Sequence, residues 1–136
     1  MSEIALPKID KSIVSNKSQI VKKLSSLTNP ENVLSEADEL RPYETDALSV
    51  YTQTPLAVVL PENTKEVSEI LKYCNEENIK VVPRGAGTGL SGGALPLQDA
   101  ILLGLGKFNK ILEIDYDNKC VITQPGVTNL GITHAV

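Results

Sequence analysis

Pro83-Arg84-Gly85-Ala86-Gly87-Thr88-Gly89-Leu90-Ser91-Gly92-Gly93-Ala94 places five of the nine glycines of the chain within ten positions, directly after the strand-like Lys80-Val81-Val82. Without Cβ atoms, successive backbone N–H groups can converge on an anion, and a phosphate can approach the main chain closely. Thr88 and Ser91 add hydroxyl donors, and Arg84 is the nearby cation. Such a loop suits a pyrophosphate held through main-chain dipoles, which makes a nucleotide cofactor the natural ligand. Two common phosphate loops do not fit. A nucleoside-triphosphatase loop ends in Gly-Lys-Ser/Thr, and no Lys follows these glycines. Gly87–Gly92 matches G-x-G-x-x-G, but a loop of that kind opens a helix, whereas Pro96 and the strand-like Ile101–Leu105 come next. A ligand-free glycine turn is the competing reading, and the two hydroxyls set among the glycines count against it.

Upstream, Leu56-Ala57-Val58-Val59-Leu60 lies between Pro55 and Pro61 and reads as a strand covered on both faces. Asn63, with Glu66 three residues on, caps a helix that carries the stripe Val67, Ile70, Leu71 and Cys74 and runs to about Glu77. Lys80–Pro83 then begins a second strand. This order predicts one right-handed crossover over 56–83, with its two strands paired in parallel. Downstream, Ile101–Leu105, Ile111–Ile114 and Val121–Thr123 are strands, Asp117-Asn118 is a turn, and Thr128 or Asn129 caps a last helix. Near the N-terminus, Ile20, Leu24 and Leu27 mark a helix that Asn29-Pro30 stops. Residues 31–53 read as an irregular connecting segment in which Tyr43 and Tyr51 anchor the chain by packing.

The 136 residues are 41% hydrophobic and 22% charged, a globular composition. Thirteen Lys+Arg against 17 Asp+Glu give a net charge of −4, and Lys22-Lys23 is the one basic pair, which argues against a nucleic-acid partner. No apolar run approaches the roughly 20 residues of a membrane span, and Met1–Lys11 lacks the apolar core of a secretion signal, so the expected compartment is the cytoplasm. Cys74 and Cys120 are far apart and outside any C-x-x-C spacing; both are expected to be reduced thiols in apolar settings, with no metal site.

With Arg41-Pro42-Tyr43-Glu44-Thr45-Asp46, Val58-Val59-Leu60-Pro61 and Gln124-Pro125-Gly126-Val127-Thr128-Asn129-Leu130 in order around it, the 83–94 loop resembles the pyrophosphate loop of FAD-dependent oxidoreductases of the vanillyl-alcohol oxidase (PCMH) type. The nearest branch is that of glycolate oxidase FAD subunits and D-lactate dehydrogenases. The resemblance covers about residues 41–136. It implies an α+β fold: the first subdomain of a PCMH-type FAD-binding domain plus the start of the second, truncated at the C-terminus. Residues 1–53 would form an N-terminal helical and irregular segment, and 54–136 a partial FAD-binding domain.

The implied cofactor is FAD. Carried over by position, its binding residues are Pro61, Arg84, Gly85, Ala86, Gly87, Thr88, Gly89, Leu90, Ser91, Gly92, Gly93, Pro125, Gly126 and Val127. The implied reaction is oxidation of a short 2-hydroxy acid, glycolate or D-lactate. No catalytic residue is assigned, and the fragment alone is expected to be inactive. Partner oxidase subunits, and through them a peripheral place at the inner membrane, follow from the same resemblance. The alternative is a non-catalytic nucleotide-binding or interaction module.

The remaining candidates have plainer readings. His134 lacks a neighbouring acidic orienter in sequence and reads as a surface or packing residue. Cys74 shares the stripe of Val67 and Leu71 and reads as a small core hydrophobe. Glu113, Asp115 and Asp117 read as a solvated strand face, because no calcium-loop glycine accompanies them.

Overall fold

The computed structural model describes residues 7–136. Helices α1 (Lys11–Ser15) and α2 (Lys17–Leu24) open the chain, followed by strand β1 (Val33–Leu34) and the short helix α3 (Ala37–Leu40). Strand β2 (Ala57–Val59), helix α4 (Thr64–Glu76), strand β3 (Lys80–Arg84) and strand β4 (Ala100–Gly104) come next. The hairpin strands β5 (Ile111–Asp115) and β6 (Cys120–Thr123) and helix α5 (Asn129–Ala135) complete the order. The first helical region ends earlier than the sequence predicts: α2 stops at Leu24, where the Ser25 N–H donates to the Val21 carbonyl, so Leu27 lies beyond it, and Asn29 instead caps a 3-10 turn over Pro30–Asn32, its side chain accepting from the Glu31 N–H.

A four-stranded sheet in the order β1-β2-β4-β3 forms the centre, and β5-β6 is a separate two-stranded sheet. The parallel orientation of β2 and β3 is as the sequence predicts, but their direct pairing is not. Each pairs instead with β4, which lies between them (Ala57↔Ile101 on one side, Val81↔Ile101 on the other). Composition accounts for the order. β4 is apolar and buried at every position, which suits the centre. Pro83 removes a ladder donor from β3 and Lys80 is exposed, which suits an edge.

Alternation along the central strands divides the core. Ala57, Val59, Ile101 and Leu103 pack with Ile20 and Leu24 of α2 and Ile70 and Cys74 of α4. Val58 and Leu102, one residue out of step, pack with Leu40, Leu34, Tyr43 and Leu60. The second cover comes from residues 31–53, so that segment is more than an irregular connection. Within it β1 pairs antiparallel with β2 (Val33↔Val59), and α3 lays Leu40 on the sheet. Tyr43 packs there as expected.

Caps fix where α4 begins and ends. The Asn63 side chain accepts from the Glu66 N–H (3.0 Å), while the Glu66 carboxylate accepts from the Glu62 N–H (2.9 Å) and the Thr28 hydroxyl (2.7 Å). At the other end Asn78 takes a left-handed φ of 55°, and the Ile79 N–H returns to the Cys74 carbonyl at 2.8 Å. That reversal feeds β3 back toward the sheet.

Candidate functional site

Parallel pairing of β2, β3 and β4 brings their carboxyl ends to one end of the sheet, where ligands of open α/β sheets collect. The glycine loop leaves β3 there, and the Leu105–Phe108 turn leaves β4. The Leu105 N–H donates to the Arg84 carbonyl at 2.9 Å, which ties the two starting points together. Pro125–Val127, distant in sequence, is delivered to the same place by the β5–β6 hairpin. Its Gly126 N–H donates to the Phe108 carbonyl at 2.6 Å. A Cβ on Gly126 would stand 2.6 Å from that oxygen and 2.8 Å from the Leu105 carbonyl oxygen, so only glycine allows this approach.

The result is a cleft of about 410 Å³ lined by Gly85, Ala86, Leu105, Gly106, Pro125, Gly126, Val127 and Thr128. Of the residues expected from sequence, Gly85, Ala86, Pro125, Gly126 and Val127 meet here. Gly87–Gly93 continue past the cleft as mostly exposed chain without helix or strand. Pro61 is fully buried behind β2 and is not in the lining. Leu105, Gly106 and Thr128 are additions; the signal for the first two was a Gly-Leu-Gly ending an apolar strand.

The donor inventory of the loop is its main chemical property. No backbone N–H from Gly85 to Ala94 donates to another group among the described residues, and neither do the Thr88 and Ser91 hydroxyls. Left without a protein partner, these groups are free for water or for an anion. A Cβ at Gly85, Gly89 or Gly93 would meet nothing within 4 Å, so the space a phosphate needs beside the main chain is open. The loop therefore fits a pyrophosphate.

Arg84 does not stand free as a counter-ion. Its Nη1 donates to the Thr45 carbonyl at 2.6 Å, and its guanidinium carbon lies 5.8 Å from the centre of the Tyr43 ring. Gly87, at φ +72°, makes room for it: a Cβ there would fall on the guanidinium, 2.7 Å from Nε.

One wall of the cleft is braced from behind. Asn32, buried, donates from its amide to the Glu62 carboxylate (3.1 Å) and accepts from the Lys107 ammonium, which lies 3.2 Å from the same carboxylate. The Asn32 amide and then Lys107 hold the Glu62 carboxyl below its usual range. This set joins the Leu105–Phe108 turn to the β1–β2 side of the sheet.

His134 is exposed on α5, and no group of three metal-ligating side chains occurs among the described residues. Cys74 is buried in the core, but Cys120 is exposed, contrary to the expectation of two apolar settings: it begins β6, opposite Asp115 on a hairpin with solvent around it. No helix among the described residues is long and apolar enough to cross a membrane.

Comparison with known proteins agrees with this geometry. The family model described as "FAD binding domain" matches residues 55–136. The glycolate oxidase subunit GlcD of Escherichia coli (strain K12) is 48% identical over 104 residues, covering 76% of this chain and 21% of that protein. The D-lactate dehydrogenase of Archaeoglobus fulgidus is 52% identical over 71 residues, covering 52% of this chain and 16% of its own length. Among solved structures, p-cresol methylhydroxylase with substrate bound superposes with a TM-score of 0.76 at 31% identity, covering 89% of this chain and 24% of that one. The chain thus spans about a fifth of the length of the curated relatives it matches. With its glycine loop at the carboxyl ends of the parallel strands β2, β4 and β3 and a family match across the whole site, the chain belongs to the FAD-binding domains of the PCMH type.

Proposed function

We propose that this chain supplies the pyrophosphate-binding side of the FAD site in a flavin-dependent oxidoreductase that oxidises a short 2-hydroxy acid, glycolate or D-lactate. The observation that carries the reading is the run of unengaged N–H groups from Gly85 to Ala94, opening beside a cleft whose far wall is Pro125–Val127. In that arrangement the N–H groups of the loop and the Thr88 and Ser91 hydroxyls hold the pyrophosphate, while the cleft takes the adjoining part of the nucleotide. FAD, when bound, supplies the electron-accepting chemistry. The choice of substrate rests on the names of the relatives, a glycolate oxidase subunit and a D-lactate dehydrogenase. Partner oxidase subunits and a cytoplasmic site of action, peripheral to the inner membrane, belong to the same proposal.

The test is titration of the chain with FAD, followed by flavin fluorescence. FAD should bind and ADP should compete, while riboflavin, which lacks the pyrophosphate, should not. Gly89→Val fills open space beside the main chain and should weaken FAD binding without lowering the thermal midpoint. Equal affinity for FAD and riboflavin would remove the loop assignment. For the reaction, the chain completed with the C-terminal portion of its E. coli relative should show anaerobic bleaching of the flavin by glycolate or D-lactate. Failure of every short 2-hydroxy acid to bleach bound FAD would refute the oxidase reading.

A further inference from the structure

We propose that residues 43–48 form a strap that sets the shape of the glycine loop through Arg84, which acts as a positioning residue and not as the counter-ion of the bound pyrophosphate. The inference rests on the FAD reading for its purpose, but its geometry stands without a ligand. Two hydrogen bonds clamp the first turn of the loop to the strap: Arg84 Nη1 to the Thr45 carbonyl at 2.6 Å, and the Ala47 N–H to the Gly87 carbonyl at 2.9 Å. Between these points Asp46 is buried, with Oδ1 accepting from the Leu48 N–H at 2.9 Å, which closes a tight turn in the strap. Leu48 reaches on toward Gly92, at 3.8 Å from where a Cβ of that residue would lie. The strap therefore touches the loop near its start and near its end.

The strap is itself held. Tyr43 packs against the Leu40, Val58 and Leu102 cluster beneath the sheet, and its ring carries the Arg84 guanidinium. Glu44 fixes the return of the chain, its carbonyl accepting from the Gln53 N–H and its carboxylate from the Thr54 hydroxyl, each at 2.9 Å. A continuous path runs from the core through Tyr43 and Arg84 to the positive-φ turn at Gly87. The consequence is preorganisation: the loop need not be ordered at the moment the anion arrives. Charge attraction from Arg84 would act differently, because a guanidinium lodged on Tyr43 and Gly87 presents its charge to the strap.

Hydrogen exchange on the ligand-free chain and FAD titration over a range of salt concentrations separate the two roles. Arg84→Met and Tyr43→Leu should each speed exchange of the Ala47 amide without any ligand present. Each should weaken FAD binding about tenfold, and the double variant should be no weaker than either alone. The dependence of affinity on salt should stay that of the wild type, and Tyr43→Phe, which keeps the ring, should behave as wild type. A flattened salt dependence in Arg84→Met with Tyr43→Leu silent would make Arg84 the counter-ion and overturn the proposal. Unchanged Ala47 exchange in Arg84→Met would also overturn it. If the wild-type chain binds no FAD, the exchange result still decides the strap, while the functional reading fails by itself.

Discussion

Gly126→Ala adds one methyl group at the tightest backbone approach in the cleft, and its cost can be worked from the structure. The new Cβ would stand 2.6 Å from the Phe108 carbonyl oxygen and 2.8 Å from the Leu105 carbonyl oxygen. Both are main-chain atoms, so no side chain can rotate away, and the Pro125–Thr128 turn must lift from the Leu105–Phe108 turn. Overpacking of this kind costs about 1–3 kcal/mol. The hydrogen bond from Gly126 to Phe108 is strained by the same movement and adds about 1 kcal/mol. A total of roughly 3 kcal/mol in a chain of this size lowers the melting midpoint by about 10 °C. Gly89→Ala is the matched control: its Cβ meets nothing within 4 Å, so the midpoint should move by about 2 °C at most. Thermal unfolding followed by circular dichroism checks both. A Gly126→Ala variant melting with the wild type would refute the steric reasoning, and a Gly89→Ala variant melting as low as Gly126→Ala would show that glycine content, and not proximity, sets the effect.

Two further expectations concern ionisation and thiol access. Burial pushes the Asp99 carboxyl up, but the Lys80 ammonium at 2.6 Å and the Asp10 N–H at 2.7 Å outweigh it and leave the group below its usual range. Its stabilising contribution is therefore present above the unfolded carboxylate pKa of about 3.9 and is lost as pH falls through the lower folded value. Asp10, Glu62 and Asp115 are shifted in the same direction, so urea stability should fall on acidification; Asp99→Asn should be less stable at neutral pH and show a shallower fall, and an unchanged acid limb would exclude Asp99 as a contributor. Burial pushes the Cys74 thiol up to about 11, whereas Cys120 is exposed, so a thiol reagent at neutral pH should label Cys120 in the native chain and Cys74 only in denaturant. Equal native labelling of both would contradict the packing of α4.

Elements whose cause is local were legible. The continuous run around Val58 implied burial on both faces, and the Asn63 cap and the Thr128 cap appear as read. What covered the second face was not, because Leu34, Leu40 and Tyr43 come from three short elements with no common period. Strand order is a non-local property, yet it left a trace: Pro83 and Lys80 mark an edge, and the crossover reading gave them too little weight. In the site, glycine density revealed the loop, and the family motif revealed the Pro125–Val127 wall. Charge and the family motif both mark Arg84 as a cofactor contact. Its true setting depends on Thr45 and Tyr43, some forty positions earlier, and no spacing rule connects them.

The insertion of β4 between β2 and β3 has a consequence for the order of events during synthesis. When Lys80–Arg84 emerges from the ribosome, β2 and α4 have already been made, but the strand that both β2 and β3 require is not reached until Ala100–Gly104. The nascent crossover can form helix α4 and β2 can pair with β1, but β3 has no ladder to join and the second edge of β2 stays open through the whole glycine loop. A stalled or slowly translated stretch between Gly85 and Asp99 would prolong that exposure, so codon choice across the cofactor loop should govern yield of soluble chain more than codon choice anywhere upstream of it.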